Sequence, residues 1–290
     1  MSSEVGPDDA AAAAEAVNAA AVASNRELWD EWAAIHATSD FYDLDSFRQG
    51  GVRLRPYEIE EIGPVDGKSL LHVQCHFGID TISWARLGAR VTGVDFSPVA
   101  IALARSLADE LGFAEAHFVQ SSVDELPDAL DEEFDVVYTS NGVLGWLPDI
   151  RRWAAVVARF VKPGGIFYIT EIHPVAQAFE NEGVSPGELV LRYPYWEHRA
   201  PLRFETHGSY ADPTAHVETP YEHGWDHGLG EIVTALVDAG LEIRMLREYP
   251  FVNWKLDFLE QQPDRTWRMP ATAGGELPLF FSILATKREP

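Results

Sequence analysis

Short apolar runs alternate with helical patterns through the middle of the chain. The runs that predict strands cover 69–74, 90–95, 116–119, 134–139 and 165–171. The stretches at 79–87, 98–112 and 149–160 repeat their apolar residues with the period of a helix. Such alternation is typical of a parallel sheet with crossover helices on both faces. The pattern therefore predicts an α/β core.

Helical patterns also lie on either side of this core. Ser24 is placed to cap a helix whose apolar face includes Leu28 and Trp32, and "RPYEIEEIG" predicts a second, short helix that ends at Gly63. Near the C-terminus a helical stretch ends at Gly240 and is followed by "LEIRMLREY", which predicts a strand. The run "PLFFSILATK" predicts the last strand.

Between residues 174 and 227 the alternation stops. Prolines and aromatic residues are scattered there without a helical period, the aromatic ones including Tyr193, Tyr195, Trp196, Phe204, Tyr210, Tyr221 and Trp225. Because the segment is too long for an ordinary loop, it predicts a lid with some strands of its own. The predicted organisation is a disordered or loosely helical tail (1–23), an N-terminal helical cap (24–64), the core (65–173), the lid insertion (174–227) and the C-terminal part of the core (228–290).

Charge narrows the range of partners. The 290 residues include 22 Lys and Arg but 46 Asp and Glu, which gives a formal net charge of −24. A chain this acidic repels a phosphate backbone over most of its surface. We therefore expect no nucleic-acid partner.

The cellular setting is predicted from cysteine content and apolar runs. The one cysteine, Cys75, excludes an internal disulfide and suits a reducing compartment. We find no apolar run near the roughly 18 to 20 residues that a membrane-spanning helix needs, and "MSSEVGPDDAAAAAEAVNAAAVAS" carries early acidic residues where a secretory signal carries basic ones. We expect a cytoplasmic protein without a membrane partner.

The stretch "LLHVQCHFGIDTISWARLGARVTGVDFSP" has the layout of a nucleotide-binding strand, loop, helix and strand. Gly78 stands where the backbone would come closest to a ligand, and Asp95 ends the second strand about 20 residues after the first, where it could bind ribose hydroxyls. Gln74 and His76 occupy two positions where such loops usually carry glycine. The loop is thus a nucleotide site with two unusual side chains.

Those two side chains bear on which nucleotide fits. A dinucleotide must place its pyrophosphate against the helix N-terminus, and side chains at Gln74 and His76 would crowd that approach. A ligand with a sulfonium and an amino-acid part but no phosphates tolerates them, which favours S-adenosylmethionine. Two alternatives stay open on this evidence: an NAD(P)-dependent oxidoreductase and a non-catalytic module that binds an adenosyl ligand.

The same stretch resembles motif I and the following acidic strand of class I S-adenosylmethionine-dependent methyltransferases, in a bacterial branch whose loop reads QCHFG. "FVQSSVDELP", "FDVVYTSNGVLGWLPDI" and "VKPGGIFYITEIHP" are similar, in that order, to the family's adenine-binding turn, fourth strand and fifth strand. The resemblance implies a Rossmann-like, doubly wound seven-stranded sheet with a reversed C-terminal hairpin. To this the chain adds N-terminal helices and an aromatic-rich lid insertion.

Transferred position by position, the resemblance also implies a set of cofactor-binding residues. Those residues are Gln74, His76, Gly78, Asp95, Phe96, Ser122, Val123 and Ser140. Asp95 would bind the ribose, and Ser122 and Val123 would contact the adenine edge. His72 stands where relatives carry Asp in the first strand, so recognition of the ligand's amino group must differ here.

Candidate acids and bases lie past the carboxyl ends of the strands. In "YITEIHP", Glu171 and His173 are two residues apart at the end of the fifth strand, so we expect them to point the same way and to remove a proton from the acceptor. Charged residues are also common at strand ends without any function. Perturbed acids and bases concentrate at such edges, which favours the catalytic interpretation.

A second cluster, "YEHGWDHGLGE", precedes a helix. Asp226 or His227 is placed to cap that helix, and His227 is a further candidate to line the active site. Since the histidines lack the usual spacing of a metal site, we expect no metal.

Together these patterns predict methyl transfer to oxygen, nitrogen or carbon of a small-molecule acceptor. The lid combines aromatic rings with basic residues, namely Arg192, His198, Arg199, Arg203 and His207. An aromatic or apolar acceptor with an anionic group would suit such a lid. The oligomeric state is open, with a homodimer as one option.

Overall fold

The computed structural model describes residues 7–197 and 200–289. Its strands are β1 (Ser69–Val73), β2 (Arg90–Asp95), β3 (His117–Gln120), β4 (Phe134–Thr139), β5 (Val161–Ile172), β6 (Leu202–Glu205), β7 (Tyr221–Gly224), β8 (Leu241–Tyr249), β9 (Glu260–Gln261), β10 (Trp267–Arg268) and β11 (Phe280–Lys287). Its α-helices are α1 (Pro7–His36), α2 (Leu44–Arg48), α3 (Pro56–Ile62), α4 (Ile79–Arg86), α5 (Pro98–Glu110), α6 (Leu126–Ala129), α7 (Ile150–Phe160), α8 (Pro174–Gln177) and α9 (Leu229–Asp238).

The central sheet has seven strands in the order β3-β2-β1-β4-β5-β11-β8. The neighbours from β3 to β5 pair in parallel, whereas β11 pairs antiparallel with both β5 and β8. The Rossmann-like sheet with a reversed C-terminal hairpin is therefore confirmed. Because the chain order reverses beside β1, the carboxyl ends of β1 and β4 open a crevice at one edge of the sheet.

Helices cover both faces of the sheet. Leu71 and Val73 of β1 pack on one face with Trp153 of α7 and Leu236 of α9, while Leu70 packs on the other face with side chains from α3 and α4. This alternation along β1 follows from the two-residue period of a strand. The crossover helices thus hold the carboxyl ends of the strands in fixed positions.

The N-terminal helix is longer than predicted. The expected cap at Ser24 was wrong, because Ser24 lies inside α1, which begins at Pro7. The alanine-rich sequence before Ser24 has high helix propensity, so nothing in it stops the helix. Residues 1–6 of the predicted tail lie outside the described residues. The expected packing of Leu28 and Trp32 is confirmed, since both are buried.

The segment after β5 packs against α1. Within it β6 and β7 form an antiparallel hairpin. The Asn25 side chain of α1 donates to the carbonyl of His223 at 2.7 Å and accepts from its N–H at 2.9 Å. The Glu31 carboxylate accepts from the N–H groups of Glu218 and Thr219 at 2.6 and 3.0 Å. Helix α1 and this segment therefore cover the sheet edge together.

No helix in the described ranges combines the length and apolar character that crossing a bilayer requires.

Candidate functional site

The loop after β1 keeps the backbone of a glycine-rich loop although two of its glycine positions are substituted. Gln74, His76 and Gly78 all have positive φ angles, of 61°, 51° and 81°. A non-glycine residue in this region costs roughly 1 to 2 kcal/mol. The loop thus holds strain at the two positions that the sequence singled out.

Gly78 is required for packing. A Cβ atom there would lie 2.7 Å from Phe118 Cε1 and 2.9 Å from the Cβ of Ala104, so no larger residue fits between β3 and α5. The predicted reason for this glycine, a close approach of ligand to backbone, is therefore not needed to explain it. Its contact with a cofactor stays a prediction.

Asp95 connects this loop to the end of β2. One carboxylate oxygen accepts from the N–H of His76 at 2.8 Å and the other from the N–H of Ser97 at 3.0 Å. Burial raises the pKa of Asp95 to about 6, and the backbone donors act in the opposite direction. Each carboxylate oxygen has a second lone pair, so Asp95 can still accept from a ribose hydroxyl.

His72 lies inside the sheet below the loop. Its Nδ1 is 2.8 Å from Thr81 Oγ1 and its Nε2 is 3.2 Å from Ser140 Oγ. Burial lowers the pKa of His72 to about 3, which leaves the ring neutral. Position 72 therefore holds an uncharged side chain that contacts Ser140.

Three buried polar atoms at the ends of β1 and β4 lack a hydrogen-bond partner within the described chain: Gln74 Oε1, His76 Nδ1 and Thr139 Oγ1. Buried polar groups are almost always paired, so three orphans at one sheet edge call for an explanation. A bound polar ligand would supply the missing partners. The residues at this edge therefore fit the amino-acid and sugar parts of an adenosyl cofactor.

The predicted adenine-contacting residues lie just after β2 and β3. Phe96 is half-buried directly after Asp95, and Val123 is buried against the core. The Ser122 hydroxyl bonds to Glu125 Oε2 at 2.9 Å and accepts from the N–H of Glu125 at 3.2 Å, which stabilises the turn before α6. Their contacts with a cofactor stay predictions.

Glu171 is enclosed by backbone donors. Its carboxylate accepts from the N–H groups of Gly142, Val143 and Leu144 at 2.6, 2.8 and 3.0 Å, and from that of Ile172 at 2.6 Å. Burial raises the pKa of Glu171, while the four donors act to lower it. Glu171 thereby anchors the loop after β4, and its lone pairs are committed to that loop.

His173 forms its contacts with α8 and β8 and makes no hydrogen bond to Glu171 among the described residues. Its Nδ1 accepts from the N–H of Val175 at 3.1 Å and so caps α8. Its Nε2 lies 3.0 Å from Glu248 Oε1 on β8. Burial lowers the pKa of His173, and Glu248 opposes that shift. His173 therefore acts at the junction of α8 and β8.

His227 is the predicted catalytic residue that does meet Glu171. Both line a small cavity together with Trp225 and Gln177. His227 Nε2 donates to the carbonyl of Leu147 at 2.8 Å, so a neutral ring keeps a lone pair on Nδ1. The expectation that Asp226 or His227 caps α9 was wrong, because the capping residue is Gly228, without a side-chain bond.

Sequence reasoning missed the side chains that cover the β1 loop. His36 at the end of α1 lies 2.9 Å, Nδ1 to Nε2, from His76. The rings of Trp29 and Tyr42 also lie against His76, with centroids 5.2 and 5.8 Å away. These residues are distant in sequence and form no motif with the loop, so only the fold brings them together.

The lid cations are used locally. Arg192 pairs with Glu180 at 3.7 Å, and Arg203 lies over the Tyr221 ring at 4.4 Å. His198 and Arg199 lie outside the described residues. Within the described ranges, no group of three or more His, Cys, Asp or Glu residues is arranged to hold a metal ion.

Comparison with known proteins agrees with this geometry. Residues 71–169 match a family model described as a methyltransferase domain. A ubiquinone biosynthesis O-methyltransferase of Paracidovorax citrulli (strain AAC00-1) is 32% identical over 163 residues, which are 56% of this chain and 66% of that protein. The chain spans between about half and two thirds of the length of the curated relatives it matches.

Two solved structures share the fold. An S-adenosylmethionine-dependent methyltransferase from Mesorhizobium loti aligns with a TM-score of 0.57 and 20% identity, covering 82% of this chain and 99% of that one. The glycopeptide N-methyltransferase MtfA, complexed with S-adenosyl-L-methionine, aligns with a TM-score of 0.50 and 19% identity over 80% and 91% of the two chains. Residues 71–169 are therefore a methyltransferase domain, in a fold that the chain shares with S-adenosylmethionine-dependent methyltransferases.

Proposed function

We propose that this protein transfers a methyl group from S-adenosylmethionine to a hydroxyl group of a small molecule. The observation that carries the proposal is the set of three orphaned polar atoms on Gln74, His76 and Thr139, at the sheet edge where this fold binds its ligand. Oxygen is favoured as the methylated atom because the curated relatives are named O-methyltransferases. The match of residues 71–169 to a methyltransferase domain argues against the oxidoreductase alternative.

The residues at this edge divide the work of holding the cofactor. Gln74 and Thr139 offer polar atoms to the amino-acid part, and Asp95 offers its second lone pairs to the ribose. Phe96, Ser122 and Val123 follow β2 and β3, on the side where the adenine would lie. Bound there, the cofactor supplies an electrophilic methyl group on a sulfonium.

The protein's own contribution is enclosure and orientation. Trp29 of α1 and Trp146 after β4 meet edge to face with centroids 5.3 Å apart, directly above the loop that contains His76. Such a cover excludes water and holds two reactants in line, which can supply much of the rate of a displacement reaction. The aromatic lining suits a flat or apolar acceptor, and the electron-rich ring faces attract a sulfonium.

We propose a base other than the predicted Glu171 and His173. Glu171 already accepts four backbone N–H bonds, and His173 caps α8, so neither is placed to take a proton from an acceptor. His227 keeps a lone pair beside the cavity and remains a candidate. An anionic group on the acceptor also remains a prediction, since Arg192 and Arg203 bind within the lid.

Calorimetry and a product assay test the proposal. We expect the protein to bind S-adenosylmethionine and S-adenosylhomocysteine but not NAD, and to release S-adenosylhomocysteine when supplied with phenols, catechols or other hydroxylated small molecules. Asp95→Asn should weaken cofactor binding roughly 10-fold or more, because a charge-assisted bond to the ribose is lost. Cofactor binding without turnover on any hydroxyl, amine or carbon acceptor would support the non-catalytic module. Binding of NAD alone would contradict both.

A further inference from the structure

Four side chains from separate parts of the chain form a connected polar cluster above the β1 loop. His36 ends α1, Tyr42 precedes α2, His76 belongs to the loop, and Tyr210 belongs to the lid. His36 Nδ1 lies 2.9 Å from His76 Nε2 and 3.5 Å from the Tyr210 hydroxyl. The Tyr42 and Tyr210 hydroxyls are hydrogen-bonded to each other.

Aromatic rings keep this histidine pair away from water. His36 is 0% exposed and stacks on Trp32, with the ring planes at 29° and the centroids 6.0 Å apart. Trp29 packs edge to face against both histidines. Burial lowers the pKa of His36 to about 3 and that of His76 well below its usual range, so both rings are neutral at neutral pH.

A neutral pair of imidazoles cannot satisfy itself. Each ring has one N–H and one lone pair, and one of each is used in the bond between His36 and His76. The two outer nitrogens, His36 Nε2 and His76 Nδ1, have no hydrogen-bond partner among the described residues. Whichever tautomer is present, one outer nitrogen therefore carries a free lone pair and the other a free N–H.

Building on the proposed function, we propose that the His36–His76 pair is the base that takes the proton from the acceptor hydroxyl. The O–H bond breaks, and its proton bonds to the free lone pair of His36 Nε2, while His76 Nδ1 donates its N–H to the cofactor. With S-adenosylmethionine bound, the acceptor oxygen would then use its electron pair to bond the methyl carbon, and the carbon–sulfur bond would break with both electrons left on sulfur. The sulfonium charge is thus replaced by the charge of the protonated pair.

The same cluster offers the proton a way out. Tyr210 is 48% exposed, so the contact from His36 to its hydroxyl leads from the dry cluster to the surface. The other ionisable groups that face the cluster are Tyr42, Asp80 and Arg53, whose charges act on the tyrosines, and Asp95, which binds the N–H of His76. None of these groups is a hydrogen-bond partner of either outer nitrogen among the described residues.

The first arm of the test uses the unaltered protein. Nitrogen-15 NMR of labelled histidines would be recorded with S-adenosylhomocysteine bound, before and after addition of catechol. We expect catechol to shift the ring nitrogens of His36 and His76 and to leave exposed His216 unchanged. If catechol binds the complex and the nitrogen-15 shifts of His36 and His76 stay unchanged, the assignment is contradicted. Failure of S-adenosylhomocysteine itself to bind would instead contradict the proposed function.

The second arm compares His36→Gln and His76→Gln with His216→Gln and His227→Gln on an acceptor from the hydroxyl panel. We expect kcat to fall about 100-fold or more in the first two, in line with the usual worth of a general base. The dissociation constant for S-adenosylhomocysteine should stay within about 3-fold in His36→Gln, and His216→Gln should match the wild type. Loss of kcat in His227→Gln alone would overturn the assignment in favour of His227.

Discussion

Glu171 is a carboxylate whose function depends on the four N–H groups around it. A strand end that carries Glu and His two residues apart is what a catalytic pair looks like in sequence, and the position of Glu171 at the sheet edge was predicted correctly. What the sequence does not contain is the path of the loop after β4, which directs the N–H groups of Gly142, Val143 and Leu144 at that carboxylate. The sequence therefore predicted where Glu171 lies, whereas its hydrogen-bonding role depends on the loop after β4.

Replacing Glu171 by Gln separates the two roles. An amide has only one acceptor oxygen, so the NH₂ group of the substituted side chain would face backbone N–H groups from which it cannot accept a hydrogen bond. We expect unfolding to become easier by about 2 kcal/mol or more, because hydrogen bonds to a buried charge are lost. Denaturant unfolding measures this, with Glu248→Gln as a control, since Glu248 is 50% exposed. If Glu171 were instead a catalytic base, Glu171→Gln would leave the stability unchanged and would remove the acidic limb from the pH profile of kcat.

His72 illustrates a buried histidine that must stay neutral. Its pKa is about 3 in the folded protein and about 6.5 when unfolded. Between these pH values the unfolded chain binds one more proton than the folded protein. The contribution of neutral His72 to folding stability is therefore fully present above pH 6.5 and is lost as the pH falls below it.

We therefore expect the wild type to lose up to about 1 kcal/mol per pH unit below pH 6.5 relative to His72→Gln. Urea unfolding of both proteins at pH 7.5, 6.5 and 5.5 tests this, with His216→Gln as the exposed control. Parallel stability curves for wild type and His72→Gln would contradict it.

At the scale of elements, the sequence pattern predicted the bounds of a helix or strand correctly where the element's own residues determine where it begins and ends. Strands β2 and β4 have the predicted bounds, because polar residues or turns end each apolar run. Strand β5 begins at Val161 instead of residue 165, since its register against β4 shifts between Phe134 and Val136 and so takes up the Pro-Gly-Gly stretch. Helix α1 was shortened in the prediction because alanine-rich sequence gives no apolar period to follow.

Only one half of the candidate site could be predicted, because only that half is formed by residues close together in the sequence. The half that comes from β1, β2 and their loop is local and was found through its spacing, including the unusual Gln74 and His76. The half that comes from α1 and the lid was not found. His36 and Tyr210 are 40 and 134 positions away from His76, and their approach depends on how α1 packs over the finished sheet.

At the scale of the whole molecule, α1, the loop with His76 and the lid close over one another. His36 is buried between them, and Trp32 Nε1 donates to the carbonyl of Gly208 in the lid at 2.9 Å. The orphaned atoms of Gln74 and His76 are buried while these contacts hold. We infer that α1 and the lid separate to admit the cofactor and close again behind it.

Hydrogen exchange detected by mass spectrometry tests this closure. Bound S-adenosylhomocysteine should slow amide exchange in residues 28–36 and 206–220, because a ligand that binds the closed state at 100 times its dissociation constant stabilises that state by about 2.7 kcal/mol. The strand β8 at the far side of the sheet serves as the internal control and should exchange at the same rate with and without ligand. In Trp32→Phe, which lacks the donor to Gly208, residues 206–220 should exchange faster in the free protein and recover much of their protection when the ligand binds. Equal exchange of both segments in the free and bound protein would show that the cofactor enters without moving α1 or the lid, and the enclosure inferred for catalysis would have to be abandoned with it.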